Sequence, residues 1–149
     1  MIAIASDHGG FALKKEIMER LEARGLEYKD FGSFTAESCD YPDLAAPACR
    51  AVRSGECEKG ILICGTGIGM SISANKIKGI RAALCGDCFS AEFTRRHNDA
   101  NVLCLGARVT GAGLALKICD TFLDTPFEGG RHKRRIEKVE EIEREEAGL

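Results

Sequence analysis

Cys64, Gly65, Thr66, Gly67, Ile68 and Gly69 put a thiol, a hydroxyl and three glycines directly after the apolar run Ile61-Leu62-Ile63. An apolar run that breaks into glycines reads as a buried parallel strand ending where a helix opens. Such a turn directs free backbone N–H groups and a helix N-terminus at one point, which favours an anion there. A cysteine at that point feels the same field, which favours its thiolate. The predicted chemistry is an activated thiolate beside a small oxyanion site. Nucleotide binding is a poorer reading. The glycines at 65, 67 and 69 miss the GxGxxG spacing, with Met70 where the last glycine would stand, and no GxxxxGK[ST] pattern occurs.

Other reactive groups cluster in three places. Asp7-His8-Gly9-Gly10 follows a first apolar run, and Gly106-Ala107-Arg108 follows a late one. Arg131-His132-Lys133-Arg134-Arg135 sets cations at the start of a helix, against its macrodipole. Arg131 and Arg135 are four apart and share a helix face, a spacing that suits bidentate binding of a phosphate dianion. The alternative is a solvated basic patch balanced by the acidic run Glu140–Glu146. Cys85-Gly86-Asp87-Cys88 is a lone CxxC: a structural zinc needs a second pair, which is lacking, and Cys85 fits the end of a strand with Cys88 opening a helix.

Strand and helix signals alternate to position these groups. Strands are predicted at Ile2–Ser6, Leu26–Phe31, Ile61–Cys64, Arg81–Cys85 and Val102–Leu105. Helices are predicted over Phe11–Arg24, Asp43–Arg53 with Asp43 as cap and Pro47 in the first turn, from the glycine-rich turn to about Ile77, Phe89–Arg96, Gly113–Leu123 and His132–Glu146. Leu13, Ile17 and Leu21 form the buried stripe of the first helix, and Leu114, Ile118 and Phe122 that of the fifth. The pattern predicts an α/β fold: a Rossmann-like three-layer sandwich on a five-stranded parallel sheet, with an extra C-terminal helix. Ligands of such sheets bind beyond the carboxyl strand ends, where Asp7, His8, Cys64, Thr66 and Arg108 would converge. His97-Asn98-Asp99 ends a connecting helix of about 15 Å and so falls at the amino edge, opposite Cys64. Either His97 is structural or a second subunit brings it to the site.

The chain has 149 residues, 44% of them hydrophobic and 30% charged, with a net charge of −2. That is the composition of one globular domain, 1–149, and it favours neither nucleic acid nor a membrane surface as partner. No run reaches the roughly 18 apolar residues of a membrane span. The start carries no secretory signal pattern, and the eight cysteines are then expected as free thiols in the cytoplasm.

The ordered motifs Ser6-Asp7-His8-Gly9-Gly10, Asp40-Tyr41-Pro42, Cys64 to Gly69, Arg96-His97-Asn98-Asp99, Gly106-Ala107-Arg108-Val109 and Gly129-Gly130-Arg131-His132 resemble the type B ribose-5-phosphate isomerase family, which includes allose- and galactose-6-phosphate isomerases. The resemblance implies an aldose–ketose isomerase that interconverts ribose 5-phosphate and ribulose 5-phosphate through an enediolate. It implies Cys64 as the base between C1 and C2, with Thr66 and the amides of Gly65, Gly67, Ile68 and Gly69 holding the enediolate oxygens. His97 corresponds to the residue that protonates the furanose ring oxygen. Asp7, His8, Tyr41 and Asn98 match substrate-binding positions, and Arg108, Arg131 and Arg135 match those that serve the phosphate. Some members use a glutamate from the loop after the strand, but no Asp or Glu occurs between Gly65 and Lys78 here. Neither metal nor another cofactor is implied. The family's sites lie between subunits, implying a homodimer or a dimer of dimers with shared active sites. A sugar-phosphate-binding regulator would need no Cys64–His97 pair, and a thiol oxidoreductase would centre on Cys85 and Cys88.

Overall fold

The computed structural model describes residues 1–148. The strands are β1 (Ile2–Ser6), β2 (Tyr28–Asp30), β3 (Lys59–Cys64), β4 (Ala82–Leu84) and β5 (Val102–Gly106). The helices are α1 (Phe11–Ala23), α2 (Tyr41–Ser54), α3 (Ile68–Ala74), α4 (Cys88–Asn98), α5 (Ala112–Asp124) and α6 (Arg131–Ala147), with a 3-10 turn at His8–Gly10 leading into α1. Every strand pair is parallel, in the order β2-β1-β3-β5-β4. This is the expected Rossmann-like sandwich.

The central strands are apolar throughout because both faces are covered. Ile4, Ile61, Ile63, Leu103 and Leu105 pack against α1, α4 and α5, through Leu13, Ile17, Leu21, Ala91, Ile118 and Phe122. Their alternate neighbours Ala3, Ala5, Leu62, Cys64 and Cys104 face α2 and α3, through Ala45, Ala48, Cys49, Met70 and Ala74. Period-two side-chain alternation thus sends Cys64 to the α2/α3 face. β1 leads into α1 on one face of the sheet and β3 into α3 on the other, so a crevice opens between β1 and β3 at their carboxyl ends.

Several boundaries differ from the sequence reading. α2 starts at Tyr41, not Asp43: Asp40 is the N-cap residue, Pro42 takes the first turn, and Pro47 lies inside the helix. Proline at the first turn sacrifices no helical hydrogen bond, so Pro42 is the stronger start signal. α3 stops at Ala74 rather than 77 because Asn75 turns its side chain onto the backbone of Ala82, donating to the carbonyl at 3.0 Å and accepting the N–H at 2.9 Å. In α5 the buried stripe is Ala115, Ile118, Cys119 and Phe122, while Leu114 is exposed. The helix has rotated its face by one residue, which the neighbouring small residues Ala115 and Cys119 permit.

α6 crosses the amino edge of the sheet beside α4. Ile136 is buried, Glu143 accepts the Gly79 N–H at 3.0 Å, and Glu140 lies 3.5 Å from Arg81. Val139 and Ile142 remain exposed. Among the described residues no helix is long and apolar enough to cross a membrane.

Candidate active site

The carboxyl edge gathers its groups through close backbone approaches. Cys64 ends β3 and pairs in register with Gly106 of β5. Its Sγ is buried and accepts the Gly67 N–H at 3.1 Å. Gly67 has φ +80°, and a Cβ there would stand 2.5 Å from Leu84 Cδ1 and 2.8 Å from the Leu105 carbonyl carbon. Only glycine lets the chain turn so tightly over β5. Thr66 is exposed, and its Oγ1 accepts the Ile68 N–H at 3.3 Å.

Asp7 follows β1 and its carboxylate accepts the Gly10 N–H at 3.1 Å, capping the turn into α1. A Cβ on Gly9 would lie 3.3 Å from both Asp7 Oδ1 and the Gly65 nitrogen, so Asp7 and the Cys64 turn are neighbours across the crevice. Arg108 lies over the same turn: a Cβ on Gly65 would meet its Nη1 at 3.3 Å, and its N–H donates to the Gly65 carbonyl at 2.9 Å. The Tyr41 ring packs on Gly69, where a Cβ would stand 2.6 Å from Cε1. His8 is exposed and its Nδ1 accepts the Cys39 N–H at 3.3 Å. Asp7, His8, Tyr41, Cys64 to Gly69 and Arg108 therefore share one edge.

His97, Asn98, Arg131 and Arg135 do not join them within this chain. They line a groove of about 1080 Å³ with Ile80, Ala82 and Ile136, a groove that Cys64 does not line. The Asn98 carbonyl accepts from Arg81 Nε at 3.0 Å, just before β4 begins. Ala82 of β4 pairs with Val102, four residues along β5 from Gly106. At about 3.3 Å per strand residue the two groups stand roughly 13 Å apart along the sheet.

Three potential metal ligands, His97, Glu128 and His132, bring their atoms within 4.8 Å of one another. The two imidazoles are stacked at 4.1 Å with planes inclined by 11°. Their in-plane lone pairs run side by side and do not converge on one ion. Burial, helped by the adjacent His97 and Arg131, lowers the His132 pKa, against the opposing pull of Glu128. Burial pushes the Cys85 thiol up to about 11, with Asp87 adding to it, and pushes Cys49 and Cys119 up to about 12. All eight are free thiols.

A family model described as Ribose/Galactose Isomerase matches residues 2–139. The chain belongs to that family. It is 50% identical over 142 residues to ribose-5-phosphate isomerase B of Escherichia coli, covering 95% of each chain. Among solved structures it resembles ribose-5-phosphate isomerase B of Clostridium thermocellum with a TM-score of 0.96 at 55% identity, covering 97% of both chains. The Mycoplasma genitalium ribose-5-phosphate isomerase B, solved with bound ribulose 5-phosphate, matches with a TM-score of 0.93 at 44% identity, covering 97% of this chain and 96% of that one.

Sequence reasoning about this ribose/galactose isomerase chain passed over two features. Lys14 is buried in α1, and its Nζ donates to Asp30 Oδ1 at 2.7 Å and the Ser33 carbonyl at 2.6 Å, tethering the loop that crosses the end of β1. Its place beside Leu13 and Ile17 on the apolar face was the available signal. Glu128, between the two histidines, carried no local signal at all.

Proposed function

We propose that this sugar-phosphate isomerase interconverts ribose 5-phosphate and ribulose 5-phosphate through an enediolate, with Cys64 as the base. The observation that carries this reading is the setting of Cys64: a buried thiol at the β1/β3 crevice, accepting a backbone N–H from the turn it opens, in a chain of this family. The Cys64 thiolate takes the proton from C2 of the open-chain aldose and returns it to C1. The hydroxyl proton on O2 leaves and O1 gains one, so the aldehyde becomes a ketone without redox change. A C2 proton is weakly acidic, so the developing oxyanion needs fixed donors. Thr66 and the amides from Gly65 to Gly69 serve there. Asp7, His8 and Tyr41 contact the sugar hydroxyls. No metal or other cofactor takes part.

His97 opens the furanose by protonating its ring oxygen, and Arg108, Arg131 and Arg135 hold the phosphate, with Asn98 beside them. The roughly 13 Å between the two edges supports a site shared by two subunits, one giving Cys64 and the other His97. A homodimer, or a dimer of dimers, is the assembly this requires. The eight free thiols support a cytoplasmic enzyme.

The test is proton exchange. Cys64→Ala should abolish exchange of the ribose 5-phosphate C2 proton with solvent while leaving inorganic phosphate to bind as before. Exchange at the wild-type rate in that variant would contradict the assignment.

A further inference from the structure

His97 stands at the end of α4 among groups that hold it on three sides. Its imidazole stacks on His132, with centroids 4.1 Å apart, and meets Phe93 edge-on at 5.0 Å. Glu128 Oε2 lies 3.9 Å from His97 Nε2 and 3.4 Å from His132 Nε2. Glu128 itself is fixed from behind: its N–H donates to the Arg96 carbonyl at 3.1 Å, and its carboxylate lies 3.6 Å from Arg96 Nη1. The other charges near this cluster are Arg131 and Arg135 of α6.

Two details set this apart from ordinary packing. His132 is buried, yet its Nε2 makes no hydrogen bond. A buried polar atom in a purely structural role normally finds a partner. Glu128 is 40% exposed, yet its Oε2 faces the two imidazoles rather than water. An imidazole at a helix end has two free torsions. A ring stacked on one face and a carboxylate at one edge restrict both.

We propose that Glu128 and His132 are positioning residues for His97, holding its imidazole in the orientation from which it hands a proton to the ring oxygen of a furanose phosphate. The proposal rests on the isomerase reading above and names the support of that site. In the step itself, His97 gives a proton to O4 as the C1–O4 bond breaks, and the anomeric hydroxyl loses its proton to solvent as the C1 carbonyl forms. A proton donor misplaced by 1 Å loses much of its effect, so the supporting pair acts on ring opening and not on the enediolate step.

The experiment compares two substrates of one enzyme. Ribose 5-phosphate is a furanose in solution and must be opened. Ribulose 5-phosphate cannot close a five-membered ring, because its C5 oxygen carries the phosphate, so exchange of its C1 proton with D2O needs no opening. Glu128→Gln keeps the shape and removes the charge. It should slow turnover of ribose 5-phosphate about tenfold or more and change exchange from ribulose 5-phosphate by less than about twofold. His132→Phe keeps the stacked ring, removes the nitrogen, and should show the same split to a smaller extent. Equal losses on both substrates would mean that α6 and its arginines had been disturbed, and would overturn the proposal. So would no loss on either substrate. Wild-type enzyme that acts on neither pentose phosphate would instead overturn the ribose 5-phosphate reading.

Discussion

At the scale of single residues, burial ties two of the cysteines to the stability of the fold at high pH. Cys49 and Cys119 are buried in apolar surroundings that push their thiols up to about 12 from an ordinary value of 9.0. In the unfolded chain both ionise near 9, while in the folded chain both keep their protons. The native state therefore binds more protons above pH 9, so the stability contributed is complete below pH 9 and is lost as pH rises towards 12. Between pH 9 and pH 10 each thiol should cost about 1 kcal/mol. Urea midpoints measured under reductant should fall over that interval in wild type and fall less in the Cys49→Ala/Cys119→Ala double variant. Parallel slopes for the two proteins would contradict the account. The same burial argues against redox work for Cys85, whose thiol is raised to about 11.

At the scale of elements, what the sequence made legible was whatever two-sided burial dictates. Ile61 to Cys64 and Val102 to Leu105 read as strands because helices cover both their faces. Leu13, Ile17 and Leu21 read as a stripe for the matching helical reason. Helix ends were less legible, since they depend on contacts from afar. α3 stops where Asn75 finds the backbone of Ala82, and no property of residues 68–77 alone announces that. The crevice depends on one such contact as well. Gly106 pairs with Cys64, and a Cβ on it would stand 2.5 Å from the Thr66 carbonyl oxygen and 2.6 Å from its carbon. Backbone cannot yield as a flexible side chain would. Gly106→Ala should destabilise the fold by about 1–3 kcal/mol, read as a lowered urea midpoint, and should reduce kcat by moving the Gly65–Gly69 turn. A variant with unchanged midpoint and unchanged kcat would show that the turn is not held by this approach.

At the scale of the whole molecule, the parallel sheet has two edges with different chemistry. The carboxyl edge has the thiol, the glycine-rich turn, Asp7 and Arg108. The amino edge has His97, Asn98 and the α6 arginines. The motifs on both edges were legible one at a time, and so was their separation, because a connecting helix must run back across the sheet. The pairing of His97 with Glu128 and His132 was not legible, since it arises only when α6 packs beside α4 some thirty residues later. In the shared-site proposal, the half of the site on each edge is completed by a second copy of the chain. The most direct measurement of that claim mixes Cys64→Ala protein with His97→Ala protein, each inactive alone, under conditions where subunits exchange. The account predicts that activity returns, with one intact site and one doubly mutated site in each heterodimer, so recovery per heterodimer reaches at most half of wild type. Subunit exchange with no return of activity would put Cys64 and His97 in the same chain's site and contradict the shared-site account.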